Sequence, residues 1–209
     1  MRIIDLTHPL QPDISVYPGD EAPVVTSTAT IARDGYQTQR LTISTHAGTH
    51  IDAPAHLIPR AKTLDQFPAS HFQGRAVVVD CRSVQGEISR RHLEPLLTSR
   101  HAEFILLLTG WDRHWRTDAY LTGFPVLSMP AAEWLAGLSL KGIGLDAISI
   151  DHPDSSQLPN HRLFLGKEIV IIENLTNLAT IPDPACHLYC LPMLIANSDG
   201  APARVVAAV

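Results

Sequence analysis

The sequence predicts one α/β domain over residues 1–209, with a mixed sheet and few helices. Three observations carry this. The runs 75–81, 103–109 and 168–173 are short, continuous and apolar, as strands buried on both faces are. Helix starts are few, with Ser89 and Ser128 the candidate N-caps. No repeat, low-complexity stretch or linker divides the 209 residues, 45% of which are apolar.

In chain order, Ile3–Leu6 reads as a first strand. Tyr17-Pro18-Gly19-Asp20 has proline second and glycine third, the signature of a type II turn. Val24–Ile31 is rich in β-branched residues and reads as a strand, Asp34-Gly35 as a hairpin turn, and Gln37–Thr45 as the returning strand. Arg75–Cys81 is a buried strand. A helix follows Ser89 to about Leu97, with Pro95 inside it. Glu103–Thr109 is a buried strand, and Trp111–Trp115 opens a loop and short helix. Ser128 with Pro130 starts a helix through Leu138. Gly142–Ala147 is a strand, 151–160 a polar loop, and Glu168–Glu173 a buried strand. Leu188–Ala196 and Ala203–Ala208 close the chain as strands.

Composition excludes several classes. The net charge of −5 offers no basic surface for nucleic acid. No apolar run reaches the eighteen residues of a membrane span. Met1–Asp5 lacks the apolar core of a signal peptide, so a soluble cytoplasmic protein is expected. Cys81, Cys186 and Cys190 are too few for a disulfide framework. On a strand the sulfurs of Cys186 and Cys190 lie about 13 Å apart, too far for one ion, so these read as ordinary thiols.

The dense stretch is Ser44–His56, where His46, His50, Asp52 and His56 fall within eleven residues. Imidazole and carboxylate are ligands for zinc, manganese and iron. Packing alone does not explain four polar side chains around a glycine turn, since each needs a partner. Gly48 permits a tight turn, and Pro54 favours a short helical turn or rigid loop after it. The stretch follows a strand, where rigid scaffolds present functional loops. Which of the four meet one ion depends on the backbone.

Further along, Glu173 ends an apolar run. It is either a strand reaching the surface or a buried carboxylate needing a cation. His161 follows the polar loop and by itself reads as a surface or capping residue. His152, in that loop, is a rival for any metal role, while Asp151 and Asp154 read as loop and turn residues.

The pattern His46-x-Gly48-Thr49-His50-x-Asp52-x-Pro54-x-His56 resembles the signature of the cyclase-like metal hydrolases. That family includes bacterial kynurenine formamidases and isatin hydrolases. Asp5-Leu6-Thr7, Tyr17-Pro18-Gly19-Asp20, Gly144-Leu145-Asp146, Glu173-Asn174-Leu175 and 199–204 resemble it too, so the likeness spans nearly the whole chain. The resemblance implies a swivelling β/β/α domain, assembled as a dimer or higher homo-oligomer. It implies two divalent ions, zinc or manganese. His46, His50 and Asp52 would hold one; Asp52, His161 and Glu173 would hold the second, with Glu173 bridging. It implies that His56 donates and accepts the proton and that Tyr17 lines the substrate pocket. Two departures from the formamidases are Ala147-Ile148-Ser149, where Thr-Pro-Ser is usual, and Tyr17, where tryptophan is common.

The expected reaction is hydrolysis of a C–N amide bond in a small aryl formamide or cyclic amide by a metal-activated water. A ring-closing or dehydrating cyclase on a polyketide-like substrate is the second expectation. A non-catalytic metal-binding protein is the third.

Overall fold

The structure, a computed structural model, describes residues 1–97 and 101–209. Its strands are β1 (Ile3–Asp5), β2 (Val24–Ala29), β3 (Thr38–Thr42), β4 (His50–Asp52), β5 (Gln73–Asp80), β6 (Glu87–Ile88), β7 (Phe104–Leu108), β8 (Val126–Leu127), β9 (Gly142–Leu145), β10 (Val170–Glu173), β11 (Ala185–Pro192) and β12 (Gly200–Ala208). The α-helices among the described residues are α1 (Ile31–Asp34), α2 (Arg90–Leu97), α3 (Met129–Ala136) and α4 (Pro159–Leu165).

Eight strands form one mixed sheet in the order β1-β12-β11-β5-β7-β9-β10-β4, and β4 also pairs with β12. The sheet therefore closes on itself into a barrel. Strands β5, β7, β9 and β10 run parallel to one another, and every pair in the sheet that involves β1, β4, β11 or β12 is antiparallel. The α/β class with a mixed sheet and few helices is as the sequence predicts.

The continuous apolar runs follow from burial on both faces. In β5, Ala76 and Val78 join the cluster inside the barrel with Phe104, Leu106, Val170, Ile172 and Val205. Val77 and Val79 face the other way, into a second cluster with Leu135, Phe164 and Tyr120 under α3 and α4. Gly142 leaves room inside the barrel: a Cβ there would lie 2.8 Å from Phe104 Cε1 and 2.9 Å from Val170 Cγ2.

Five local expectations are revised. Asp34-Gly35 does not make a tight hairpin turn. Instead α1 occupies the connection, because the Asp34 carboxylate accepts the Thr30 N–H at 2.8 Å and Gly35 ends the turn at φ +78. The strands it joins, β2 and β3, form their own two-stranded sheet. Residues 50–52, read as part of a loop, are strand β4. The polar loop ends at Leu158, and α4 begins with Pro159 at its first turn. The last two strands begin three residues earlier than the apolar pattern suggests, at Ala185 and Gly200. α3 stops at Ala136, where the Gly137 N–H takes the last carbonyls.

Candidate metal centre

The site is built where β4 is inserted between β10 and β12. Side chains alternate along a strand, so Ile51 points into the barrel core while His50 and Asp52 share the other face. The ladder sets Glu173 opposite His50 and Ile171 opposite Asp52, and directly opposed residues share a face. The turn before β4 is held by Gly48 at φ +66, packed under Leu10 and Ile14. Thr49 Oγ1 donates to the Asn174 carbonyl at 2.6 Å, and Asn174 Nδ2 donates to the Gly48 carbonyl at 2.9 Å. His56 lies on the short 3-10 turn Pro54–His56. α4 brings His161 over the same face.

Three sets of side-chain donors come together, each with its ligand atoms within 4.8 Å of one another: His46, His50 and Asp52; Asp52, His161 and Glu173; and His46, His56 and Asp199. Asp52 Oδ1 lies 2.8 Å from His46 Nδ1 and 3.2 Å from His50 Nε2. His161 Nε2 lies 3.3 Å from Glu173 Oε1 and 3.6 Å from Asp52 Oδ2. Glu173 Oε2 is 3.6 Å from His50 Nε2. All six residues predicted from the front motif and its later partners, His46, His50, Asp52, His56, His161 and Glu173, line one cavity of about 280 Å³. Tyr17 lines it too, its hydroxyl donating to the Pro153 carbonyl at 3.4 Å.

The outer ring nitrogens fix the tautomers. His50 Nδ1 donates to the Gly48 carbonyl at 2.8 Å, and His161 Nδ1 to Asp151 Oδ2 at 2.7 Å. Their inner Nε2 atoms therefore face the Asp52 and Glu173 carboxylates. Two lone pairs turned on two buried carboxylates repel unless a cation stands between them. Asp52 Oδ2 is moreover buried without a hydrogen-bond partner. A buried carboxylate oxygen left this way costs free energy, and the mixed nitrogen–oxygen donor set is one that divalent metals accept. The residues fit a metal.

The electrostatics agree. Burial works against the charged form of His46, but Asp52 and Asp199 outweigh it and raise it to about 9. Burial likewise opposes charge on His161, and Asp151, Asp52 and Glu173 overcome it. Asp52 is pushed up by burial and pulled further down by His50, His161 and His46. The pocket favours positive charge at its centre. His56 differs: burial lowers it, with help from His46 and His161.

His152 stands apart. It is exposed, with Nδ1 3.7 Å from Asp154 Oδ2, and belongs to none of the three donor sets. Asp151 is not a plain loop residue. It is buried, its Oδ1 accepts the Asn160 N–H, and its Oδ2 accepts both the His161 N–H and Nδ1–H. It caps α4 and orients His161 together. Asp199, just before β12, was not singled out by sequence. Its only signal there was its place in the stretch 199–204. Among the described residues no donor set includes a cysteine, and burial pushes the Cys186 thiol up to about 11.

The sequence profile of the Cyclase family matches residues 4–152. The chain belongs to the Cyclase family. A family relative, the kynurenine formamidase of Salinibacter ruber, is 34% identical over 212 aligned residues, covering 99% of this chain and 97% of the relative. Among solved structures, isatin hydrolase A from Labrenzia aggregata, bound to benzyl benzoate, superposes with a TM-score of 0.88 at 26% identity, covering 99% of this chain and 93% of that one. A second, described as a potential metal-dependent hydrolase with cyclase activity, gives a TM-score of 0.82 at 26% identity over 99% of this chain and 96% of that one. The Cyclase fold thus extends over the chain described here.

Proposed function

We propose that this chain is a metal-dependent hydrolase that cleaves the C–N bond of a small aryl formamide or cyclic amide. The observation that carries the reading is the buried pair Asp52 and Glu173, faced by three imidazoles with no lysine or arginine among the residues lining the cavity. The kynurenine formamidase and isatin hydrolase relatives support the substrate class.

In this reading His46, His50 and Asp52 hold one divalent ion, and Asp52, His161 and Glu173 hold a second. Zinc and manganese both suit these donors. Bound there, the ions supply a Lewis acid for the amide carbonyl and a water whose pKa is brought down to about 7. His56 is the residue that moves protons. It is half-buried at the cavity wall, and its lowered pKa keeps it neutral at pH 7, ready to accept. It takes the proton from the attacking water and hands it to the nitrogen as the C–N bond breaks. Water and amide thus become a carboxylate and an amine, or a ring-opened acid. Tyr17, Leu57, Ile148 and Leu158 offer an apolar wall for an aryl group.

Residues 1–209 act as one catalytic domain, working in the cytoplasm as a homodimer or higher homo-oligomer. The ring-closing reading rests on the cyclase activity named for one structural relative. Metal analysis paired with assays on N-formylkynurenine and isatin, before and after chelation, decides between them. About two ions per chain with chelator-sensitive hydrolysis supports the proposal. Ring closure without amide cleavage, or full hydrolysis by metal-free protein, overturns it.

A further inference from the structure

Asp199 sits where the two ends of the sheet's seam meet. Its backbone carbonyl accepts the Ala53 N–H at 2.8 Å, tying it to the end of β4. Thr45 Oγ1 donates to its Oδ1 at 3.1 Å. Its Oδ2 lies 3.1 Å from His46 Nε2 and 3.5 Å from His56 Nδ1. The two imidazoles are themselves only 4.2 Å apart, centre to centre.

The next residue makes this packing possible. A Cβ on Gly200 would stand 2.6 Å from His46 Cε1 and 2.9 Å from its Nε2. The His46 ring therefore lies flat against bare backbone, its edge delivered to the neighbouring carboxylate. Asp199 is thus held at its backbone and at both carboxylate oxygens, with the imidazoles sharing one of them.

We propose that Asp199 is a positioning residue that serves His46 and His56 at once. It accepts from His46 Nε2, leaving Nδ1 for the metal side, and from His56 Nδ1, leaving Nε2 as the atom that takes and returns the proton. A metal-ligating imidazole commonly gives its second N–H to a carboxylate. Here the same carboxylate also sets the tautomer of the proton carrier. The inference rests on the hydrolase reading for its kinetic part only.

The test uses zinc-loaded protein. Nitrogen-15 NMR of the imidazoles reads the tautomer without any turnover. Wild type should show His56 as the Nδ1–H form, and Asp199→Asn should lose that preference. In parallel, Asp199→Asn should lower kcat by about 10–100-fold with KM held within about twofold. In a His56→Ala background the same substitution should cost less than about threefold, because residues acting as a unit are not additive. If Asp199→Asn fails to fold or to hold zinc, Thr45→Val takes its place. It frees Oδ1 without touching either imidazole and should weaken the Nδ1–H preference. His56 found as Nε2–H in wild type, a tautomer unmoved by the variant that folds, or equal losses in both backgrounds overturns the proposal. Absence of amide turnover in wild type would fault the hydrolase reading, while the tautomer measurement still decides this one.

Discussion

His50 and Glu173 stand directly opposite each other in the antiparallel pair of β4 and β10, their Nε2 and Oε2 atoms 3.6 Å apart. Two residues more than a hundred positions apart in sequence become neighbours through strand register alone. A slip of one residue would turn Glu173 to the barrel interior. The ladder is therefore the device that gathers the donors.

Glu173→Gln keeps the side chain's shape and its acceptor for the Ile150 N–H, a bond of 2.9 Å, but removes the charge. The variant should bind about half the metal of wild type and gain less thermal stability from added zinc, since a ligand stabilises the fold in proportion to how tightly it binds. Metal content by mass spectrometry and melting with and without zinc check this. Unchanged stoichiometry and an unchanged melting shift would rule Glu173 out as a ligand.

His56→Ala should cost about 10²–10⁴-fold in kcat, the range of general acid–base catalysis, with metal content intact. Steady-state kinetics on the preferred amide provide the measurement. A variant that retains full turnover removes His56 from the proton path.

Asp151→Asn retains acceptor oxygen at the start of α4 but takes the charged partner from His161 Nδ1. Zinc affinity should fall by about 10–100-fold, as for other outer partners of ligating imidazoles. Competition titration against a chelator reads it directly. An affinity within twofold of wild type would count against the arrangement.

Asp146 gives a pH dependence away from the metal. It is buried, and burial pushes its carboxyl from 3.8 up to about 6 despite the donors of Thr109 and Gly110. Between those two values the folded chain keeps a proton that the unfolded chain releases. Stability from this group is full below the lower value and falls as pH rises to the upper one, by on the order of 3 kcal/mol. Asp146→Asn cannot titrate. In metal-free protein, urea unfolding should show wild type gaining on the variant at pH 4 relative to pH 7. A constant difference between the two would refute the account.

The parallel strands were legible because burial on both faces leaves a mark that composition preserves: Ala76–Val79, Phe104–Leu108 and Ile169–Ile172 each run without a polar break. The front motif was legible because no packing need explains so many imidazoles in so few positions. β4 left no such mark. It is three residues long and carries two of those polar side chains, so only its pairing with β10 and β12 makes it a strand. Asp199 and Asp151 were hidden for a related reason. Each acts on an imidazole, and an isolated aspartate in a loop looks the same whether or not a histidine comes to meet it. α4 was obscured by the polar run before it, though Pro159 at its first turn was a usable sign.

The seam between β4 and β12 joins Asp52 to Gly200 and His50 to Pro202. β12 lies far downstream of β4, so during synthesis it emerges long after it, and the contacts between the two are among the most distant between the described strands. Such contacts come late, since the loop they close must be ordered before they repay its cost. His46 has no Gly200 to lie on, and no Asp199 to meet, until that moment. A growing chain holds all of its front histidines long before it has the full cluster of donors and carboxylate partners they belong to.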